Sequence, residues 1–125
     1  MTVIALFDTN IVIDALNGIA EADVEYNRYA RVLISRITWM EVMVGAHEDE
    51  TQVRDFLDTQ FDVVALDLAV AEKAVQLRRS RRLRLPDAII WATAQVYDTV
   101  LVTRNTKDFD ADWEGIRVPY QLSPG

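Results

Sequence analysis

A chain of 125 residues is one domain's worth of core, and two independent cores would each be of marginal size. Half of its residues are apolar and 26% are charged, which excludes a disordered tail or a low-complexity linker. With no cysteine and one histidine, His47, disulfides, zinc ribbons, thiol catalysis and histidine-rich metal sites are excluded, and a net charge of −7 argues against a general nucleic-acid binder.

Val3 to Phe7 is a continuous apolar run, the mark of a strand buried on both faces of a parallel sheet. A helix is expected from Asn10, capped by Asn10 and stopped by Gly18. Glu21 to Val32 reads as a second helix, with Tyr26, Tyr29 and Val32 forming a buried or protein-binding stripe. Leu33 to Ile37 is a second strand, and Thr38 opens a helix that Gly45 weakens or ends. Asp49 to Thr59 is helical, and Phe61 to Leu66 is a third strand. Asp67 caps a long helix running from Leu68 to about Leu83. Leu85 is expected to be extended before Pro86, which opens a helix to about Tyr97. Thr99 to Thr103 is a fourth buried strand, a turn holds Asn105 to Phe109, and Gly115 to Val118 is a candidate last strand. Alternating strands and helices predict an α/β layer fold with a mainly parallel sheet. No repeat or linker interrupts it, and no tail exceeds Pro124-Gly125, so one domain over residues 1–125 is expected. The longest uncharged stretch, Ala88 to Tyr97, is too short to span a bilayer, and the start of the chain does not read as a signal peptide.

Four acids fall near expected strand ends. Asp8 directly follows the first strand, Glu41 lies one turn into the helix after the second, Asp87 follows Pro86, and Asp108 comes just after the fourth strand. In an open parallel sheet the ligand crevice lies beyond the carboxyl ends of the strands. Each acid also has a plain structural reading. Thr38 and Glu41 fit a capping box, Asp87 suits the first turn of a helix, and Asp108 suits a solvated turn. Asp8 is harder to explain that way, because Asn10 already supplies a cap.

Two carboxylates about 4 Å apart repel by roughly 4 kcal/mol at an effective dielectric near 20. A converging set must therefore stay partly protonated or be neutralised. No lysine or arginine adjoins Asp8 or Asp87 in sequence, which makes a divalent cation the expected neutraliser. All-oxygen ligands favour magnesium or manganese over zinc. Carboxylate-only chemistry of this kind suits phosphodiester cleavage.

The residues that carry this pattern also resemble a known family. Phe7-Asp8-Thr9-Asn10 follows an apolar strand. Ile34-Ser35 then leads to Thr38, Glu41 and Gly45, Leu85-Pro86-Asp87-Ala88 to Ala92 and Ala94, and Leu101-Val102-Thr103 to Asn105 and Asp108-Phe109. In this order the chain resembles the PIN-domain ribonucleases, and more narrowly the VapC toxins of toxin–antitoxin pairs. The resemblance implies a Rossmann-like α/β/α sandwich with a mainly parallel four- to five-stranded sheet. It implies a cytoplasmic endoribonuclease dependent on magnesium or manganese, with RNA as substrate, a cognate VapB-type antitoxin as partner, a homodimeric state and no membrane association. Carried over by position, Asp8 and Asp87 would ligate the metal. Glu41 would be a ligand or orient the attacking water, and Asp108 would be the fourth acid, in a turn that also holds Asp110 and Asp112. Thr9, Asn10, Thr38, Thr103 and Asn105 would be supporting polar groups, with Ser35 a further hydroxyl.

Two other classes fit less well. A haloacid-dehalogenase-like phosphatase wants a second aspartate where this chain has Asn10, and a phosphoacceptor module wants an acidic pair after the first strand. Residues 78–84 concentrate five of the thirteen cations. Arg78, Arg81 and Arg82 would share a helix face, as a solvated helix end, a phosphate track for RNA or a seat for an acidic antitoxin tail. His47 is expected at the surface, and Trp39 and Trp91 in the core.

Overall fold

The computed structural model describes residues 3–122, so the Pro124-Gly125 end lies outside the described residues. In chain order the elements are β1 (Ile4–Phe7), α1 (Thr9–Leu16), α2 (Ala20–Tyr26), β2 (Arg31–Ser35) and α3 (Arg36–Val44). A short 3-10 turn at His47–Asp49 follows, then α4 (Glu50–Gln60), β3 (Asp62–Val64), α5 (Leu68–Ser80), α6 (Leu85–Val96), β4 (Val100–Val102) and β5 (Ile116–Arg117). The five strands form one parallel sheet in the order β3-β2-β1-β4-β5.

Strand geometry sends alternate side chains to opposite faces, and here each face meets its own helices. Leu6, Leu33 and Leu101 are in register and pack on Val70, Ala74 and Leu77 of α5 and on Ile90 and Trp91 of α6. Ala5, Phe7, Val32, Ile34 and Val102 face the other way, onto Ile11 and Val12 of α1, Val42 of α3 and Val53 and Leu57 of α4. The result is the expected α/β/α sandwich. Ala5, Leu6 and Phe7 are fully buried because β1 is flanked by strands and covered on both faces.

Several element boundaries differ from the sequence reading, each for a local reason. The second helix stops at Tyr26, and β2 begins at Arg31, because Val32-Leu33-Ile34 supplies the apolar run that both faces need. Tyr26, Tyr29 and Val32 therefore form no helical stripe. Tyr26 packs edge-on to Phe61 at 5.6 Å and Tyr29 edge-on to Phe7 at 6.2 Å, so these side chains serve the core and not a docking face. The third helix starts at Arg36 under a Ser35 cap, whose side chain accepts from the Ile37 amide at 3.2 Å. The fifth helix ends at Ser80, because Leu83 turns in to the core on the way to α6. The extended residue before α6 is Arg84, one position earlier than expected, and Leu85 is already helical.

Two partly buried ion pairs lock the edges. Arg117 of β5 holds Glu25 of α2 through a two-pronged fork at 2.7 and 2.9 Å, and Tyr29 donates to the same carboxylate at 2.6 Å. Burial alone would raise the Glu25 carboxyl, but the Arg117 fork and Tyr29 outweigh it and hold it below the usual range. Arg104 holds Asp14 of α1 at 2.6 and 3.0 Å, and Tyr120 donates to Asp14 at 2.7 Å.

Sheet topology fixes where a site can form. The chain leaves β1 to one side for β2 and β3 and returns on the other side at β4, so the order reverses between β1 and β4. A crevice opens beyond the strand ends at such a reversal. Asp8 leaves β1 there, its amide donating to the Val102 carbonyl at 2.9 Å, and Thr103 leaves β4 beside it. Because α6 reaches β4 through the tight turn at 97–99, it runs against the strand and lays its first turn over the same edge. Asp98 takes the left-handed conformation in that turn, at φ 54°, one of the few side chains that tolerate it. Among the described residues, no helix is long and apolar enough to cross a membrane.

Candidate active site at the carboxyl edge of the sheet

Asp8 ends the central strand and caps α1, so the cap is Asp8 and not Asn10. One carboxylate oxygen accepts from the Thr9 amide at 2.7 Å. The other accepts from the Thr103 hydroxyl at 2.7 Å and the Asn10 side-chain amide at 3.1 Å. Asn10, released from capping, ties the two central strand exits together, since its carbonyl oxygen accepts from the Arg104 amide at 3.0 Å. Burial pushes the Asp8 carboxyl up to about 6, against the opposing bonds from Thr103 and Thr9, and the charges of Asp87 and Glu41 add to the rise.

Glu41 is not part of a capping box, because α3 is capped by Ser35 and Glu41 lies beyond its first turn. Its Oε1 accepts from the Thr9 hydroxyl at 2.7 Å. Thr9 has one proton and spends it on Glu41, so the buried Thr38 hydroxyl, 3.0 Å away, donates to Thr9 in turn. Thr38 thus anchors Thr9, and Thr9 anchors Glu41. Glu41 itself is exposed, with its second oxygen free of protein partners among the described residues.

Asp87 sits in the first turn of α6 and is buried. Burial raises its carboxyl and the charges of Asp108 and Glu41 add to that, while Arg84 pulls the other way. Arg84 Nε donates to Asp87 at 3.3 Å, and its Nη2 stands 3.7 Å from Asp108. Asp108 is fixed by a reciprocal pair with Asn105, which donates to its carboxylate at 2.9 Å and accepts from its amide at 3.2 Å. The Asn105 amide donates to Thr103 at 2.9 Å, closing the turn onto the Asp8 shell. Asp110 and Asp112 do not join this network; Asp110 accepts from the Asp112 amide at the surface.

The structure thus brings Asp8, Glu41, Asp87 and Asp108 to one edge, with Thr9, Asn10, Thr38, Thr103 and Asn105 among them. Ser35 stays with the α3 cap. Arg78, Arg81 and Arg82 do not share a helix face, because the helix has ended before Arg81. Arg81 lies over the Trp113 ring at 4.3 Å, and Trp91, buried as expected, is stacked on Trp113. Trp39 is only half-buried and donates to Asp58 at 3.2 Å. His47 is exposed.

The arginine-rich segment that runs into Pro86-Asp87 does flank the acids, through its last member. Arg84 sits one helical turn before Asp87 and answers two of the four acids. Its spacing of three from Asp87 is the signal that could have found it. The Asp14–Arg104 brace beneath the site also escaped the sequence reading. Asp14, set between the apolar run Ile11-Val12-Ile13 and Ala15-Leu16, hints at a buried charge, but its partner lies 90 positions away.

Among the described residues, no three acid or imidazole side chains already stand around a common metal position. The donor set still suits a hard divalent cation. Four carboxylates face one nearby guanidinium, and all donors are oxygens.

A pH effect follows for the metal-free protein. Asp8 is raised in the folded state from 3.8 to about 6, so folding favours its neutral form. That stabilisation is complete below about pH 4 and lost as pH rises through 6, a loss of roughly 3 kcal/mol at about 1.4 kcal/mol for each pH unit crossed. Asp87 acts in the same direction. Thermal melting in a chelator is expected to fall from pH 5 to pH 7 and then level off; a melting temperature that rises across that interval would refute the assignment.

The PIN domain family model matches residues 5–112. Among solved structures, a toxin–antitoxin complex from Klebsiella pneumoniae contains a chain 46% identical, with a TM-score of 0.87 over 94% of this chain and 99% of that one. The DNA-bound VapBC from Salmonella typhimurium is similar at 24% identity and TM-score 0.74, covering 94% of this chain and 96% of that one. FitAcB from Neisseria gonorrhoeae is similar at 22% identity and TM-score 0.76, covering 95% and 99%. These last two share the fold. No curated protein matches the chain.

Proposed function

The chain belongs to the PIN-domain family, and on that premise we propose that it is a metal-dependent endoribonuclease of the VapC toxin type, cytoplasmic and neutralised by a VapB-type antitoxin. The observation that carries the reading is geometric. Asp8 at the end of the central strand, Glu41 tied to it through Thr9, and Asp87 and Asp108 bridged by Arg84 share the edge at which the strand order reverses. Such an all-oxygen cluster suits a hard divalent cation. The antitoxin partner is supported by the 46% identical chain of the Klebsiella pneumoniae complex, and a homodimer is expected from the family resemblance.

Asp8 and Asp87 would hold magnesium, or manganese, with Asp108 completing the set once Arg84 withdraws. A divalent cation bound there supplies positive charge for the phosphodiester oxygens and makes a water more acidic. Thr103, Thr9 and Asn10 fix the Asp8 carboxylate so that it meets the ion in one orientation. Glu41, anchored through Oε1 and free at its other oxygen, accepts the proton of the attacking water. Arg84 leaves the Asp87–Asp108 pair for the scissile phosphate, whose charge then replaces theirs.

Incubation with total RNA and magnesium tests the reading. We expect cleavage that stops on chelation and is lost in Asp87→Asn, whose folded circular-dichroism spectrum is unchanged. Cleavage that persists in the chelator, or at full rate in Asp87→Asn, would overturn it.

A further inference from the structure

Beside the acid cluster a second feature emerges from the basic run. Between the α5–α6 connector and the loop after β4 lies a cavity of about 330 Å³, lined by Arg81, Arg82, Lys107, Asp108 and Trp113 among others. Three cations thus converge in a chain whose net charge is −7. Arg82 and Lys107 are exposed and have no ion-pair partner among the described residues. Together with Arg81 they give the cavity a local positive charge, which favours an anionic ligand there.

Arg81 differs from a freely solvated arginine. Its guanidinium rests 4.3 Å above Trp113 and 5.2 Å from Trp91, and the two indoles are parallel within 3°. The two indoles hold the guanidinium by cation–π contact while Arg81 stays exposed, so part of the ordering cost of binding is met before a ligand arrives. A guanidinium held in this way suits a nucleotide, because bases stack on its plane and its edge donates to phosphate. The cavity is small, near the lower limit for a ligand site, which suits one nucleotide of an unpaired strand and not a duplex.

Position supplies the direction. Asp108 belongs both to the cavity wall and to the acid cluster, so the cavity directly adjoins the cluster. We infer that this cavity binds the phosphate and base of a nucleotide flanking the scissile linkage of single-stranded RNA, with Arg82 and Lys107 on the phosphate and Arg81 as the stacking platform. This rests on the nuclease reading above. The continuity through Asp108 favours RNA over an acidic protein segment. Arg78, on the last turn of α5, does not line the cavity.

The test is fluorescence anisotropy with a labelled twelve-nucleotide single-stranded RNA of mixed sequence, at fixed magnesium and varied sodium chloride, in an Asp8→Asn background that does not cleave. Arg82→Ala/Lys107→Ala is expected to weaken binding at least tenfold at low salt. It should also lower the slope of log affinity against log salt by about 1.4, two phosphates at roughly 0.7 each. Arg31→Ala, on the amino-terminal start of β2 and paired with Asp62, is expected to change neither. Arg81 stays in place because it packs on Trp113. An unchanged affinity and slope in the double variant, when the protein with Asp8 intact cleaves RNA, overturns the cavity assignment and leaves the nuclease reading standing; it is also the outcome if the cavity serves a protein partner. No binding in the Asp8→Asn background and no cleavage by the protein with Asp8 intact overturn both.

Discussion

Asp8→Asn is expected to abolish RNA cleavage, by a factor on the order of 10³ or more, while raising the melting temperature of the metal-free protein at pH 7 by a few degrees. The two effects have one cause. Asp8 is 3% exposed, and its carboxyl is pushed up to about 6, so ionising it in the folded protein at pH 7 costs roughly 3 kcal/mol relative to the unfolded chain. Asparagine keeps the shape and the acceptor for the Thr9 amide but has no charge to desolvate. Against that gain stands an amide placed where Thr103 and Asn10 now donate, a loss of about 1–2 kcal/mol. A net gain of about 1–2 kcal/mol remains, which for a domain of this size is a few degrees. Saturating magnesium should reverse the order by stabilising only the parent. An inactive variant that also melts well below the parent would mean that Asp8 is a structural cap and not a strained carboxylate.

Arg104→Ala is expected to cost about 3–5 kcal/mol of stability, because it leaves a buried charge without its counter-ion. Asp14 is 5% exposed, and without the Arg104 fork it retains only the Tyr120 hydroxyl. The consequence reaches the site, since Arg104 is the residue between Thr103 and Asn105, and its fork clamps the exit of β4 against α1. The pair Asp14→Asn/Arg104→Met should recover most of the loss, as no unpaired charge is left in the interior. Urea unfolding of the two variants checks this. Equal stabilities for the single and double variants would show that the ion pair is incidental to the fold.

The sequence was most legible where one short-range rule decides. Val3 to Phe7 reads as a buried strand because an unbroken apolar run has few other uses, and Asp8 stands out because nothing in the run requires it. Asp87 was readable from Pro86, which fixes the start of α6 to within a residue. Legibility failed where two rules competed for one residue. Asp8 both ends the strand and caps the helix, so Asn10 was freed to bridge to Arg104. Ser35 took the cap that Thr38 was expected to hold, and Thr38 turned inward to support Thr9. The arginine face dissolved because Leu83 had to reach the core before α6 could begin, which ends α5 at Ser80. Long-range charge pairing was the least legible of all. Neither the Asp14–Arg104 brace nor the Arg117–Glu25 fork has a local signature, since each is set by which strands lie side by side.

Diffraction from crystals soaked in manganese, collected where the metal scatters anomalously, addresses the shared cation directly. An anomalous peak is expected between the Asp8 and Asp87 carboxylates, with the Arg84 side chain moved off Asp87. Crystals of protein that cleaves RNA in manganese, yet hold no peak within bonding distance of Asp8, would contradict a metal shared by these carboxylates.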